Sequence, residues 1–287
     1  MTPLNKITII GVGLIGGSFA KGLKEAGLVN HIMGFGQNEQ NLAKAIELGV
    51  VDQVSTHIET AVKDADLILL AVPLGVMGTV LEQMKPYLNP KTIITDAGSA
   101  KGSVIESVES VFGEIPANFV PGHPIAGKEK SGVTAADSTL YRDHRVILTP
   151  VANTDAEAIS VVKALWQALG AKVEIMAAQQ HDEIFAATSH LPHLLAFSLV
   201  NMLDEHEALG NVFPYTAGGF RDFTRIASSD ATIWRDIALT NSTALVKWLE
   251  HYQNNIAALT TLVKNQEGDA LYKLFDDAKR ARDKHIA

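Results

Sequence analysis

The stretch Lys6-Ile7-Thr8-Ile9-Ile10-Gly11-Val12-Gly13-Leu14-Ile15-Gly16 constrains this chain more than any other part of it. A compact β-rich run ends at Gly11, and a helical pattern follows from about Gly16 to Ala26. Three glycines at this spacing, between a strand and a helix, do different things. Gly11 permits a tight turn, Gly13 lets the backbone approach a pyrophosphate, and Gly16 lets the helix pack close to the strand. The helix N-terminus then offers N–H donors and positive potential to phosphate. Gly11, Val12, Gly13, Leu14, Ile15 and Gly16 are therefore read as a dinucleotide-binding turn. Ser18 follows, placed to cap the helix or touch phosphate.

That turn opens an alternation. Strands are expected at His31–Phe35, Leu67–Ala71, Thr92–Thr95, Phe119–Val120 and Arg145–Leu148. Helical patterns separate the earlier ones, at Asn38–Leu48, Gly75–Met84 and Ser99–Val111. Alternating strands and helices imply a mostly parallel sheet covered on both faces. The rhythm changes after Pro150. A helix is expected at Asp155–Leu169 and a last short strand at Lys172–Ile175, and nearly everything beyond Ala177 is helical. Thr240–Glu267 is one long periodic segment, followed by a charged tail from Asp276. The expected architecture is an α/β Rossmann domain over residues 1–170 and an all-α domain over residues 171–287, the latter binding substrate and joining a homodimer.

Composition narrows the function classes. A formal net charge of −8 argues against a nucleic-acid surface. No cysteine is present, so disulfides, thiolate metal sites and cysteine nucleophiles are excluded. The apolar stretches are strand-sized, too short for a membrane span. A cytoplasmic protein without membrane or nucleic-acid partners is expected.

The second strand should end near the residue that reads the adenosine ribose. Here that region is Gly34-Phe35-Gly36-Gln37-Asn38, with neither an acid for a 2′-hydroxyl nor an arginine for a 2′-phosphate. Gln37 or Asn38 can hydrogen-bond a hydroxyl. Both NAD and NADP stay open, with NAD favoured because a phosphate dianion without a cation is costly to bind. After the third strand, Ala71-Val72-Pro73 is small and apolar, suited to the nicotinamide side of the cofactor.

Polar residues gather where such a sheet binds ligands, beyond the strands' carboxyl ends. Asp96 and Ser99 follow the fourth strand, readable as turn and helix cap or as cleft residues. The irregular stretch Pro121–Gly132 holds His123 between Gly122 and Pro124. A loop histidine there suits a general base taking a hydroxyl proton while hydride leaves the same carbon; the alternative is a structural loop histidine. His190 and His193 are three apart and would share a helix face. A metal reading would need His181 or Asp182 as a further ligand, and no metal is expected. Arg221 and Arg225 suit a carboxylate clamp or an internal salt bridge.

Together these segments resemble the prephenate/arogenate (cyclohexadienyl) dehydrogenase family of tyrosine biosynthesis. The resemblance runs from Lys6 to about Asp236, over Gly11–Gly16, Asp96–Lys101, Gly122–Gly127, Ser189–His193 and Gly219–Asp236. It implies NAD(P)-dependent oxidation of a ring carbinol with loss of the ring carboxylate as CO2. His123 and Ser99 match the catalytic positions, with Ser99 also beside the nicotinamide ribose. Arg225 matches the carboxylate anchor, with Asp182 and Asp222 as charged neighbours. His193, His190 and Glu129 match substrate-pocket positions, and Trp234 an aromatic that reaches the partner subunit's site. The resemblance also implies a homodimer through the helical domain. Tyrosine feedback, where it operates, would act at the active site. Lys128 departs from the serine or threonine usual after His-Pro-Ile-Ala-Gly. The competing readings are another Rossmann dehydrogenase, for a β-hydroxy or imino acid, and a dinucleotide-binding module without turnover.

Overall fold

The computed structural model of the chain describes residues 2–128, 130–206, 208 and 210–286. Its first part alternates strictly: β1 (Leu4–Ile10), α1 (Leu14–Glu25), β2 (Val29–Phe35), α2 (Glu39–Glu47), β3 (Gln53–Ser55), α3 (Ile58–Val62), β4 (Leu67–Leu70), α4 (Met77–Met84), β5 (Ile93–Asp96), α5 (Lys101–Phe112) and β6 (Phe119–Val120). These six strands form one parallel sheet in the order β3-β2-β1-β4-β5-β6. The order reverses between β1 and β4, and a crevice opens beyond their carboxyl ends at such a switch point.

Side-chain alternation makes both faces of that sheet apolar. Ile7, Ile9, Leu67 and Leu69 face one core with Phe19 and Leu23 of α1. Ile10, Ile68 and Leu70 face the other with Met77 and Leu81 of α4. Burying such strands on both sides stabilises each large aliphatic side chain by roughly 1.5–3 kcal/mol, which rules out slippage of a strand by one residue.

A second sheet follows: β7 (Gly122–Ile125), β8 (Arg145–Leu148) and, after α6 (Ala156–Ala168), β9 (Lys172–Ile175). β8 lies in its centre, antiparallel to β7 and parallel to β9. This corrects two expectations. Arg145–Leu148 does not extend the parallel sheet, and residues 122–125 are a strand rather than loop. Pro124 is tolerated because β7 is an edge strand, where a missing N–H need not break a ladder. The short β3 and α3 were not expected at all.

The helical part contains α7 (Ala178–Phe185), a π-helical turn at Ala186–His190, α8 (Leu191–Asp204), α9 (Gly218–Thr224), α10 (Ala231–Thr240), α11 (Ser242–Lys264) and α12 (Gly268–His285). The expected single segment over Thr240–Glu267 is broken at Asn241, whose side chain is used elsewhere. The expected charged tail is helix α12, laced by ion pairs such as Arg280–Asp276 and Lys279–Asp283, both i,i+4. The chain divides into two compact units, Met1–Ser242 and Thr243–Ala287. No helix among the described residues is long and apolar enough to cross a membrane.

Candidate active site

The glycine turn lies at the switch point. Gly11 has φ +96°, and a Cβ there would stand 2.3 Å from the Ala71 carbonyl oxygen at the end of β4. A Cβ on Gly16 would stand 2.3 Å from the Gly11 oxygen. Only glycine permits this approach. Gly13 is different, because a Cβ there meets nothing within 4 Å. It precedes α1 without any side-chain cap. The first amides of α1 therefore have no side-chain cap, which is the arrangement a phosphate site at a helix N-terminus requires. From behind, the Tyr141 hydroxyl donates to the Ile15 oxygen at 2.6 Å, and Tyr141 packs on Trp166 at 4.9 Å between ring centres.

Beyond β5 lies a fully buried ion pair, Asp96–Lys101. Asp96 also accepts from the amides of Gly98 (2.7 Å) and Gly122 (3.0 Å), and Lys101 Nζ donates to the Gly122 carbonyl at 2.7 Å. The pair thus ties the end of β5 to the first residue of β7, next to His123. Burial pushes the Lys101 ammonium down, and Asp96 opposes that.

His123 is half-buried and sits where α7 meets α5. Its Nδ1 is 2.8 Å from His181 Nε2. The His181 Nδ1 is 2.7 Å from Asp182 Oδ1. Asp182 in turn accepts the amides of Lys101 and Gly102 at the start of α5, each at 2.8 Å. Phe185 packs on both imidazoles, with ring centres 5.2 and 4.5 Å away. Burial holds the His123 pKa well below the ordinary histidine value, and His181, Lys101 and His190 push the same way. His123 is accordingly neutral near pH 7, as a base must be.

Two further histidines follow. His190 is buried at the end of the π turn, and burial pushes its pKa down to about 4. Its Nδ1 accepts from Asn241 Nδ2 at 3.1 Å, and that nitrogen also donates to the Asp182 carbonyl at 2.9 Å. His193 Nδ1 donates to the Ser189 carbonyl at 2.8 Å, which leaves Nε2 as an acceptor. The Trp234 ring stacks on His193 at 3.6 Å.

Comparison with known proteins decides the family. The sequence profile described as "Prephenate dehydrogenase, nucleotide-binding domain" matches residues 19–175, and "Prephenate dehydrogenase, dimerization domain" matches residues 177–277. The chain belongs to the prephenate dehydrogenase family. It is 39% identical to the cyclohexadienyl dehydrogenase of Zymomonas mobilis, over 98% of this chain and 96% of that protein. It is 34% identical to the prephenate dehydrogenase of Bacillus subtilis, over 96% of this chain and 75% of that protein. The crystal structure of Aquifex aeolicus prephenate dehydrogenase with hydroxyphenyl propionate and NAD+ superposes with a TM-score of 0.91. The two are 36% identical, and the match covers 98% of both chains. As a prephenate dehydrogenase family member, the chain is an oxidoreductase of the prephenate/arogenate dehydrogenase type.

Within this family member, the fold brings some of the residues singled out from sequence together and leaves others apart. His123 and His190 connect through His181, Asp182 and Asn241, and the Trp234 ring lies against both His190 (6.2 Å) and His193 (3.6 Å). Asp182, singled out as a charged neighbour of an arginine, has its carboxylate on the α5 amides and on His181. Ser99 lies in the turn between β5 and α5, but the residue at the cap position is Ala100 and the capping carboxylate comes from Asp182. Arg225 is exposed in a 3-10 turn packed against α8, and Asp222 is exposed on α9. Ala71 and Val72 are half-buried and Pro73 exposed beyond β4. Gln37 and Asn38 are exposed beyond β2, where Asn38 Oδ1 caps α2 by accepting the Asn41 amide at 2.8 Å. Glu129 lies outside the described residues. Among the described residues no group of three His, Asp or Glu is placed to hold a metal ion.

Sequence reasoning gave no catalytic role to His181, Lys101, Asn241 or Asp236. Asp236 accepts from the Gly75 amide at 3.0 Å and from Arg235 at 2.7 Å, so it fastens α10 to the segment after β4. The adjacent His181-Asp182 dipeptide is the one signal visible in the sequence, where it reads as a further metal ligand or, for Asp182, as a charged neighbour of Arg225.

Proposed function

We propose that this chain oxidises prephenate, arogenate or both, with NAD as the favoured hydride acceptor and loss of the ring carboxylate as CO2. The carrying observation is the half-buried His123, held by a buried polar network at the carboxyl edge of a sheet that begins with a glycine-rich turn. The residues present fit a dinucleotide. The uncapped start of α1 and the open face of Gly13 receive the pyrophosphate. Ala71, Val72, Pro73 and Ser99 border the nicotinamide end, and Gln37 and Asn38 the adenosine ribose. When bound, the nicotinamide supplies a two-electron hydride acceptor.

His123 accepts the proton of the ring hydroxyl as the hydride leaves the carbinol carbon. The carbon–carboxylate bond then breaks, its electron pair enters the ring, and CO2 departs. That pair ends on the former carbonyl oxygen, which takes a proton back to become the phenol, so the sum is one hydride transferred and one CO2 released, and aromatisation makes the step effectively irreversible. His193, His190 and Trp234 border the ring, and Glu129 is carried as a substrate residue by the family resemblance alone. Arg225 anchors a carboxylate, with Asp222 setting the charge around it. Alignment of these groups carries much of the rate, since orientation alone can contribute about 7–11 kcal/mol.

NAD is favoured because no cation stands at Gln37-Asn38, and because the Aquifex aeolicus relative is described with NAD+. A homodimer through the helical part is supported by the profile described as a dimerization domain. The second unit also leaves Val263, Tyr272 and Phe275 more than half exposed. Tyrosine, which carries the phenol and carboxylate of such a product, is read as a competitor at this same site.

The test follows reduced-cofactor absorbance and CO2 with prephenate and arogenate crossed against NAD and NADP. His123→Asn should lower turnover by roughly 100-fold or more with little change in cofactor affinity. Near-normal turnover in that variant removes His123 from the role. Silence in all four pairings, with cofactor bound, favours another Rossmann dehydrogenase.

A further inference from the structure

We infer that His181 and Asp182 are positioning residues that select the tautomer of His123, and so decide that its Nε2 is the nitrogen offered to the substrate hydroxyl. This deepens the dehydrogenase reading and rests on it.

The assignment runs inward from the carboxylate. Asp182 Oδ1 takes the Lys101 amide and faces His181 Nδ1, while Oδ2 takes the Gly102 amide. Burial works against its charge, but the His181 hydrogen bond and the two amides hold its pKa below the usual carboxylate range. An ionised carboxylate only accepts, so the proton between Asp182 and His181 sits on His181 Nδ1. His181 is itself buried, and desolvation lowers its pKa although Asp182 opposes this. A neutral imidazole protonated at Nδ1 has its lone pair at Nε2. The 2.8 Å contact from that nitrogen to His123 Nδ1 then requires a proton on His123 Nδ1. The other arrangement would set two lone pairs against each other. His123, neutral as well, is left with a lone pair on Nε2.

The groups around this pair act differently on its two members: His181 disfavours a cation at His123, and Lys101 disfavours one at both. His190 also disfavours one at His123. Asp182 favours one at His181, as does Asp96. When His123 takes the substrate proton, its Nδ1–H still has an acceptor backed by a carboxylate. The logic is that of a base oriented by a third group.

The test uses the full chain labelled with 15N-histidine and long-range proton–nitrogen correlation, with His123 assigned from the His123→Asn variant. The wild-type spectrum should show His123 protonated at Nδ1 and bare at Nε2. His181→Leu removes the acceptor. It should show the other tautomer or a mixture, and a turnover number lower by ~10–100-fold with KM values for cofactor and substrate within about threefold. His181→Gln presents an oxygen to the same N–H and should recover most of that loss. A wild-type His123 protonated at Nε2 overturns the inference, as would folded Leu and Gln variants impaired equally. The wild-type spectrum needs neither variant to fold nor any turnover. A chain silent on prephenate and arogenate would sink the reaction while leaving the tautomer readable.

Discussion

Replacing Lys101 by Met tests the buried core of this site most sharply. The substitution keeps the aliphatic stem and removes only the charge and its donors. In the folded chain Asp96 is then fully buried with two amides and no cation, and the Gly122 carbonyl loses its donor. Removing one partner of a buried pair costs about 3–5 kcal/mol, because the remaining charge is uncompensated. For a unit the size of Met1–Ser242, about 2–4 °C is lost per kcal/mol, so thermal unfolding should fall by roughly 6–20 °C. Far-ultraviolet circular dichroism against temperature reads this directly. The double variant Asp96→Asn with Lys101→Met leaves no buried charge, so it should be at least ~1 kcal/mol more stable than the two single losses added together. A Lys101→Met chain melting within about 2 °C of wild type would refute this reasoning and mean that water or movement relieves the carboxylate.

Other outcomes follow from the same geometry. Gly13→Ala should leave the melting temperature unchanged within error, since its Cβ meets nothing within 4 Å, yet weaken NAD binding by ~10-fold or more. Gly16→Ala should destabilise the fold itself, its Cβ standing 2.3 Å from the Gly11 oxygen; equal behaviour of the two variants contradicts the cradle. Stability should also fall in mild acid. His190 titrates near 4 when folded against 6.5 ordinarily, so the unfolded chain binds more protons between those values. That contribution is complete above pH 6.5, and about 2 kcal/mol of it is gone by pH 5. Urea midpoints should show this slope, and His190→Gln should flatten it; an unchanged slope removes His190 as its source. Finally, Arg225→Gln should raise the substrate KM more than it lowers the turnover number, by about tenfold or more for a lost charged contact. An unchanged KM would end the anchor assignment.

Local chemistry made the nucleotide half legible from sequence. A turn that needs φ above zero, a close approach and an uncapped helix start leaves its mark in consecutive residues, Gly11 to Gly16. Strands buried on both faces leave apolar runs such as Leu67–Leu70. Elements failed where a distant partner decided them. Gly122–Ile125 has a glycine and a proline and reads as loop, and only the neighbouring β8 makes it an edge strand. Asp276 onward reads as a solvated tail, yet its charges pair at helical spacing. His123 was identifiable as a loop histidine with chemistry to do, but its pKa and its tautomer were not.

The sequence by itself thus determined which residues carry reactive groups and where the glycine turn lies, because both depend on side-chain type and short-range backbone geometry. The tertiary structure decided what those groups are bonded to. Asp182 stands 59 residues from His123 in sequence and 81 from the helix it caps at Lys101. Their meeting depends on packing α7 against α5, so only the folded chain shows that a carboxylate, two imidazoles and a buried lysine form one network.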